Sequence, residues 1–173
     1  GSYLLLEIDN QPVIIQKLQN TVSILRKYFK DNNIFFKNLK IINDESILFE
    51  IENNQIEPIK KLFEDKSIDI NPYYPQYKSY QFDVLVSDNQ FQLDLSKFGL
   101  IEIKNSSLNQ ALEIVRRRID EVGTNEPNIV KRGNDRILVE LPGLDDPMRV
   151  KNLLGKTANL TFRFVTENSE ETF

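Results

Sequence analysis

The run ALEIVRRRIDEVGTNEPNIVKRGNDRILVELPG, residues 111–143, holds three consecutive arginines, the residue type best suited to binding phosphate or carboxylate groups. Apolar residues recur at spacings of three and four between 108 and 122, which predicts one buried stripe on a helix. Arg116 to Arg118 lie mostly off that stripe, with acidic residues placed to form ion pairs along the helix. We therefore expect a solvated helix face whose charges pair locally, with an anion-binding patch as the alternative.

Asp145 and Asp146 form a second group of candidate ligands. Two adjacent carboxylates can bind a hard cation. Asp-Asp-Pro before an apolar segment is also typical of a helix N-terminus, with Asp146 as the cap and Pro147 as the first helical residue. We expect the cap, and we interpret Pro142-Gly143 as a strand break that positions this helix.

The composition excludes several classes of site. The chain of 173 residues contains neither cysteine nor histidine, so it has no disulfide, thiolate nucleophile or Cys/His zinc site. Its net charge is −4 and its pI is about 5.0, which argues against non-specific nucleic-acid binding. No apolar run approaches the ~18 residues needed to cross a bilayer, and no signal peptide is recognisable. Since no nucleophile elbow, Gly-rich phosphate loop or singled-out carboxylate pair is present, we expect no enzyme activity and no cofactor.

The segment NPYYPQYKSYQ, residues 71–81, holds four of the six tyrosines. Tyrosine combines apolar area with a hydrogen-bonding tip at low entropic cost, which suits an adaptable surface for unfolded polypeptide. A linker whose rings pack between two modules has the same composition. We expect the linker, with polypeptide contact through Tyr73, Tyr74 and Tyr77 as the alternative.

The pattern around the arginine run predicts an ordered series of elements. A helix starts near Ser96 and ends at Val122, where Gly123 suits the left-handed residue that follows a helix. Pro127 is expected to hold Glu126 in extended geometry. The later elements are strands at 128–132 and 136–141 around the turn Gly133-Asn134-Asp135, a helix at 148–154 that Gly155 ends, and a strand at 158–165.

These elements carry a family resemblance. The helix RRRIDEVG, the dipeptide EP, the hairpin KRGNDRILVELPG and the segment LLGKTANLTFRFV closely resemble the first extracytoplasmic domain of SecD, a membrane subunit of the bacterial protein-export machinery. The match is continuous over about 111–165, and the opening YLLLEID is similar to the start of that domain, just after the first transmembrane helix of the family. Residues 12–80 are similar to the extra N-terminal module of the longer SecD branch.

The resemblance implies a function. SecD-like proteins work with SecF beside the SecY channel of the bacterial inner membrane, and they help to draw an unfolded exported polypeptide across it with the proton gradient. The resemblance places this fragment on the periplasmic side, attached to the membrane only through segments outside this sequence, as scaffold and part of a polypeptide-contact surface. The alternative is an interaction module for a fixed partner, SecF or the channel subunits, with no substrate contact.

Ten positions match the family motif, and the resemblance implies backbone or pairing roles for them: Arg117, Gly123, Glu126, Pro127, Gly133, Arg136, Glu140, Pro142, Gly143 and Gly155. The glycines and prolines are expected to shape turns and helix ends. We expect the two arginines and Glu140 to form structural pairs rather than to contact substrate.

The second half of the chain opens with predicted strands at 81–86 and 90–95, and the first half repeats its order of elements. Residues 3–70 indicate β-α-β-β-α-β: strands at 3–9, 34–42, 46–51 and weakly at 68–70, with helices around 14–29 and from 56. We therefore predict an α+β protein of two tandem ferredoxin-like modules with antiparallel sheets. The predicted boundaries are 1–71 for the first module, 72–80 for a linker, 81–166 for the second module, and 167–173 for a tail leading to a further subdomain.

Overall fold

The computed structural model describes residues 2–121, 123, 126–142, 147–155 and 162–165. The α-helices in these residues are α1 (Gln11–Asp31), α2 (Ile56–Glu64), α3 (Lys97–Glu121) and α4 (Pro147–Gly155). The strands are β1 (Ser2–Ile8), β2 (Phe36–Ile42), β3 (Ser46–Ile51), β4 (Tyr73–Tyr74), β5 (Ser79–Tyr80), β6 (Phe82–Ser87), β7 (Gln90–Leu95), β8 (Asn128–Arg132), β9 (Arg136–Leu141) and β10 (Phe162–Val165). Within the described ranges, no helix is both long and apolar enough to span a membrane.

Antiparallel pairing assembles the strands into two four-stranded sheets and one hairpin, which confirms the predicted α+β class. The first sheet has the order β10-β1-β9-β8, and the second has the order β2-β3-β7-β6. The chain divides into two compact units: a split unit made of Gly1–Pro12 and Lys104–Phe173, and an inserted unit made of Val13–Ile103. The first sheet belongs to the split unit, and the second sheet and the β4-β5 hairpin belong to the inserted unit.

The order of the modules differs from the predicted tandem arrangement. β1 lies between β9 and β10, with Leu6 opposite Ile137, instead of joining β2 and β3. β7, predicted to belong to the second module, pairs with β3. The units therefore differ from the predicted divisions 1–71, 72–80 and 81–166. Periodicity identifies a strand and its buried face but not its partners, and both halves of the chain offer strands of the same period.

The core of the split unit lies between α3 and one face of its sheet. The predicted stripe of α3 supplies four buried side chains: Leu108, Ala111, Val115 and Ile119. Alternate strand residues pack against them: Leu4, Leu6, Ile8, Ile137, Val139 and Leu141. Each large aliphatic side chain buried in this way contributes roughly 1.5–3 kcal/mol, so α3 and β1 stabilise each other although they are far apart in sequence.

Aromatic rings fill the centre of the inserted unit. Phe49 of β3 and Phe91 of β7 are stacked with their ring centroids 5.0 Å apart, and Phe29 of α1 lies 5.2 Å from Phe49. Phe63 of α2 lies 6.2 Å from both Phe49 and Phe91. The two helices therefore cover one face of the second sheet through direct ring contacts, which add to the burial of apolar area.

Two local predictions are wrong. Residues 68–70 form a turn instead of a strand, and Ile70 enters the core of the inserted unit. Glu126 is not extended, since its φ is 52°. The ring of Pro127 disfavours right-handed helical geometry at Glu126, and the chain adopts the left-handed region there. The last strand is described only at 162–165, and the rest of the predicted strand at 158–161 and the predicted tail at 167–173 lie outside the described residues.

α3 begins where the side chain of Ser96 caps it. Ser96 Oγ accepts a hydrogen bond from Gly99 N at 3.0 Å and donates one to the Tyr80 carbonyl at 2.6 Å. Gly99 lies directly against the backbone of Gln81, because a β-carbon built on it would be 2.3 Å from the Gln81 carbonyl oxygen. Only glycine lets the first turn of α3 approach the chain so closely.

We expect Gly99→Ala to lower the free energy of unfolding by about 1–3 kcal/mol, because the added methyl group must displace the Gln81 backbone. Gly155→Ala is the control. Its added carbon meets no described heavy atom outside its own helix within 4 Å, so its effect is expected to stay within about 1 kcal/mol. Urea denaturation followed by circular dichroism measures both values. Equal effects of the two substitutions would contradict the close approach at Gly99.

Candidate functional site

Residues 73–80 form a hairpin, where the sequence predicted a linker. β4 and β5 pair in antiparallel register, with Tyr73 opposite Tyr80. Tyr77 N donates to the Tyr74 carbonyl at 3.1 Å, and Lys78 has a left-handed φ of 52°. The hairpin lies within the inserted unit. Prolines and polar residues are typical of both tight turns and linkers, so composition did not distinguish the two.

Tyr73 and Tyr80 anchor the base of this hairpin. Their rings meet edge to face, with centroids 4.9 Å apart. Tyr80 Oη donates to the Glu64 carbonyl at the end of α2, at 2.7 Å. Lys66 Nζ lies 4.0 Å from the centroid of the Tyr73 ring, within range of a cation–π interaction. The base of the hairpin is therefore fixed to the chain around the end of α2.

Tyr77 and Phe98 stack near the tip of the hairpin, with ring centroids 4.7 Å apart and planes 9° from parallel. Tyr77 Oη also donates to Glu102 Oε1 at 2.9 Å. The Tyr74 ring lies edge-on to that of Tyr77 at 6.3 Å. Tyr73, Tyr74, Tyr77 and Phe98 are each only half-buried, and together they form what we call the aromatic surface. It contains all three tyrosines that the sequence singled out.

Glu102 sets the electrostatics of the aromatic surface. Its hydrogen bond with Tyr77 raises the pKa of the Tyr77 phenol above the ordinary value. Burial raises the pKa of Tyr74, and the charges of Glu102 and Asp69 add to that effect. Both phenols therefore remain neutral donors at neutral pH. Apolar ring faces beside neutral O–H groups suit a polypeptide better than a polyanion.

A groove of about 540 Å³ runs between α2 and β6, and no sequence motif marked it. α2 lines it with charged side chains of both signs: Glu57, Lys60, Lys61 and Glu64. Phe63 of the same helix and Phe82, Val84 and Val86 of β6 add apolar side chains, and the polar residues Asn71, Tyr80 and Asp83 complete the lining. The alternation of residues 82–86 predicted this strand, but nothing in the pattern indicated that the strand lies at a sheet edge.

The described glycines of the family motif and Pro142 lie at turns or helix ends of the split unit, and Pro127 directly precedes β8. Gly123 has a φ of 74°, and its N–H donates to the Asp120 carbonyl at 3.1 Å beyond the end of α3. Gly133 has a φ of 62° in the turn between β8 and β9. Pro142 lies in an exposed turn after β9, and Gly155 is the last residue of α4. Gly143 lies outside the described residues.

The charged motif residues lie on strands and on α3. Arg136 Nη2 is 3.9 Å from Glu7 Oε2, with the two side chains 27% and 19% exposed. Glu140 of β9 lies opposite Tyr3 of β1, and Arg117 is exposed on α3. Arg136 thus lies beside an acidic partner on the neighbouring strand, whereas the structural roles assigned to Arg117 and Glu140 stay predictions.

The arginine run mixes with acidic side chains. Arg118 Nη1 lies 3.4 Å from Glu121 Oε2, and Arg116 lines a pocket of about 330 Å³ together with Asp120. This mixture of charges favours a locally paired helix face over an anion site. Among the described residues, no group of acidic side chains is placed to hold a metal ion. The candidate cation site and helix cap at 145–146 lie outside those residues.

Comparison with known proteins gives matches along nearly the whole chain. The sequence model of the family described as "Protein translocase subunit SecDF, P1 domain, N-terminal" matches residues 108–167. Protein translocase subunit SecD of Rickettsia felis is 35% identical over 98% of this chain and 30% of its own length, and that of Rickettsia conorii gives the same values. The SecD of Acetobacter pasteurianus is 32% identical over 97% of this chain and 31% of its own length. The chain thus spans less than a third of each of these relatives.

We expect the raised pKa of Tyr77 to be visible in an alkaline titration of tyrosine absorbance. Tyr77→Phe should remove a component that titrates above the ordinary phenol range, and Glu102→Gln should shift that component downward, because the hydrogen-bonded carboxylate no longer opposes ionisation. A raised pKa favours the protonated folded state. The associated stability is complete below pH 10.0, the ordinary value, and is lost as the pH rises through the folded pKa. An unchanged titration in Glu102→Gln would contradict the pairing.

Proposed function

Because the chain belongs to the SecD family of protein translocase subunits, we propose that it is the part of such a subunit that contacts unfolded polypeptide during export. The proposal places the chain on the periplasmic side of the bacterial inner membrane, held there by membrane segments elsewhere in the full-length protein. There it acts as scaffold and as a weak, sequence-tolerant contact surface. It has no catalytic role in this proposal.

The observation that supports polypeptide contact is the aromatic surface. The Tyr77 ring is held by Phe98 on one side and by Glu102 at its hydroxyl, so it is ordered before any ligand binds. Rings ordered in advance bind apolar side chains at low entropic cost. Half-buried rings on a hairpin offer shallow contacts, and shallow contacts allow a moving chain to be released.

The partners in this proposal are SecF and the SecY channel complex, together with the exported chain. Proton coupling is assigned to other parts of the full-length protein, since the relatives extend far beyond the matched region. One charge crossing the membrane yields about 2.3 kcal/mol per 100 mV, and using that energy requires ionisable groups within the membrane. In this proposal, proton movement changes the conformation of the membrane segments, and the matched region transmits or uses that change.

A second candidate function is docking of a fixed partner such as SecF. The observation that favours this function is a row of aliphatic side chains on the side of the split unit's sheet opposite α3. On that face the buried Leu5 of β1 lies in one row with the half-buried Leu138 of β9 and Val130 of β8. A row of aliphatic side chains suits a permanent interface better than a transient contact.

We also propose that the split unit is a ferredoxin-like module interrupted by the inserted unit. Its element order is β1-α3-β8-β9-α4-β10, the β-α-β-β-α-β pattern of such a module. Its strand order, β10-β1-β9-β8, places the first and third strands of the pattern at the centre of an antiparallel sheet. The inserted unit follows a different order and is not included in this proposal.

An NMR titration tests the polypeptide-contact function. The isotope-labelled chain is mixed with an unfolded secretory polypeptide, with the same polypeptide in its folded form, and with a single-stranded oligonucleotide. We expect amide signals of residues 73–80 to shift only with the unfolded polypeptide. No response to that ligand would contradict the proposed contact. A parallel titration in which only SecF or the channel subunits shift the signals would support the fixed-partner alternative.

Replacing Tyr73, Tyr74 and Tyr77 together with serine is expected to weaken binding of the unfolded polypeptide about tenfold, because the variant loses most of the ring area of the aromatic surface. Tyr3→Ser is the matched control, since Tyr3 is an exposed ring of the split unit. Circular dichroism checks that both variants remain folded. If the two variants bind equally well, the aromatic surface does not contact polypeptide.

A further inference from the structure

Among the described strands, β6 pairs with β7 alone and so lies at the edge of the second sheet. The direction of its backbone groups follows from two contacts. Ile51 N of β3 donates to the carbonyl of Asn89, the residue just before β7, at 3.1 Å. The backbone N–H and C=O groups of the odd-numbered residues of β7 therefore point toward β3, and those of the even-numbered residues point toward β6. Leu85 lies opposite Gln92 and therefore bonds to β7. The N–H and C=O groups of the alternate residues, Val84 and Val86, consequently point away from the sheet.

The side chain of Asn71 already forms hydrogen bonds with the backbone at one end of this edge. Its side-chain amide bonds to both outward groups of Phe82: Phe82 N donates to Asn71 Oδ1 at 2.8 Å, and Asn71 Nδ2 donates to the Phe82 carbonyl at 3.2 Å. A neighbouring strand would offer its peptide group in the same way. Asn71 thus occupies the first position of the edge. No other described residue bonds to the outward backbone groups of Val84 and Val86.

The groove between α2 and β6 provides the space beside this edge. Val84 and Val86 are half-buried on the side of the sheet that α2 covers, so an added strand would continue an apolar floor. Lys60 and Lys61 stand on the rim together with Glu57 and Glu64. A rim with both charges accepts side chains of either sign, which gives backbone recognition with low sequence specificity.

We propose that the β6 edge binds an extended polypeptide segment as a fifth strand of the second sheet. The backbone groups of Val84 and Val86 supply the hydrogen bonds, and the apolar floor accepts every second side chain of the segment. The proposal deepens the polypeptide-contact function and rests on it for the source of the segment. A strand held by main-chain bonds suits an unfolded chain because every sequence carries the same backbone groups.

A second copy of this chain fits the edge less well. The β6 strand of the second copy would bring that copy's α2 alongside. The α2 of the first copy already borders the space beside the edge, so the two helices would compete for it. A single extended segment carries no such helix. The edge is also short, with two residues offering outward groups, so binding is expected to be weak and reversible.

Hydrogen exchange of individual amides tests the site directly. Two probes are used: the unfolded secretory polypeptide, and a blocked peptide of about eight residues in which valine alternates with threonine or lysine. At saturation we expect exchange at Val84 and Val86 to slow about tenfold, because both amides gain a hydrogen bond. The Phe82 amide, already bonded to Asn71, should change little.

Val84→Pro is the decisive variant. It removes an outward N–H without removing a bond to β7, and proline is tolerated on an edge strand in that orientation. We expect it to weaken binding of the blocked peptide about tenfold. Leu85→Ser is the matched control on the same strand, since Leu85 is 54% exposed and its side chain lies on the other face of the sheet. This substitution should leave affinity unchanged.

Each outcome decides between the proposals. Slowed exchange at Val84 and Val86 with either probe supports the edge site, and this measurement holds even if Val84→Pro fails to fold. Binding of the unfolded chain, with exchange at both valines unchanged by either probe, overturns the edge site and leaves the polypeptide-contact function standing. Protection by the blocked peptide, with no binding of the unfolded chain anywhere on the protein, supports the edge and overturns that function. Protection that grows with protein concentration in the absence of either probe assigns the edge to a second copy and overturns the proposal.

Discussion

The antiparallel pairing of β1 with β9 is the constraint on which the rest of the structure depends. The register runs from Ser2 opposite Leu141 to Glu7 opposite Arg136, so the first residues of the chain form the centre of a sheet completed by residues beyond 128. Everything between residues 13 and 103 must then fold as a unit of its own. The entropic cost of closing such a connection rises only logarithmically with its length, so a folded insertion of this size is tolerated.

Within the inserted unit, Asn71 links the elements that define both candidate binding surfaces. Asn71 is 2% exposed, and its amide bonds to the Phe63 carbonyl in α2 as well as to both backbone groups of Phe82. These bonds hold the end of α2 near the start of β6 while leaving the rest of the edge open. The chain beyond Asn71 forms the tyrosine hairpin. A single buried amide therefore helps to position the groove and the hairpin together, and its loss would leave buried backbone groups without partners.

The family signature and the candidate surfaces lie in different units. The match to the SecDF P1 family covers residues 108–167, all in the split unit, whereas the similarity to individual SecD proteins extends through the inserted unit. The split unit has a compact core and turn glycines with left-handed φ values. The inserted unit has the half-buried rings and the open strand edge. In the proposed function, the split unit is the scaffold and the inserted unit makes the contacts.

The sequence by itself determined the local elements of this protein. The stripe of α3, the alternation of β9 and the turn at Gly133 depend on residues close together in the chain, and all three were predicted correctly. It also singled out Tyr73, Tyr74 and Tyr77, although it assigned them to a linker. Only the tertiary structure decided that β1 joins β9, that β6 lies at an edge, and that the tyrosines form a hairpin. Strands of the same period can pair in many ways, and the choice among them is made by burial summed over the whole sheet.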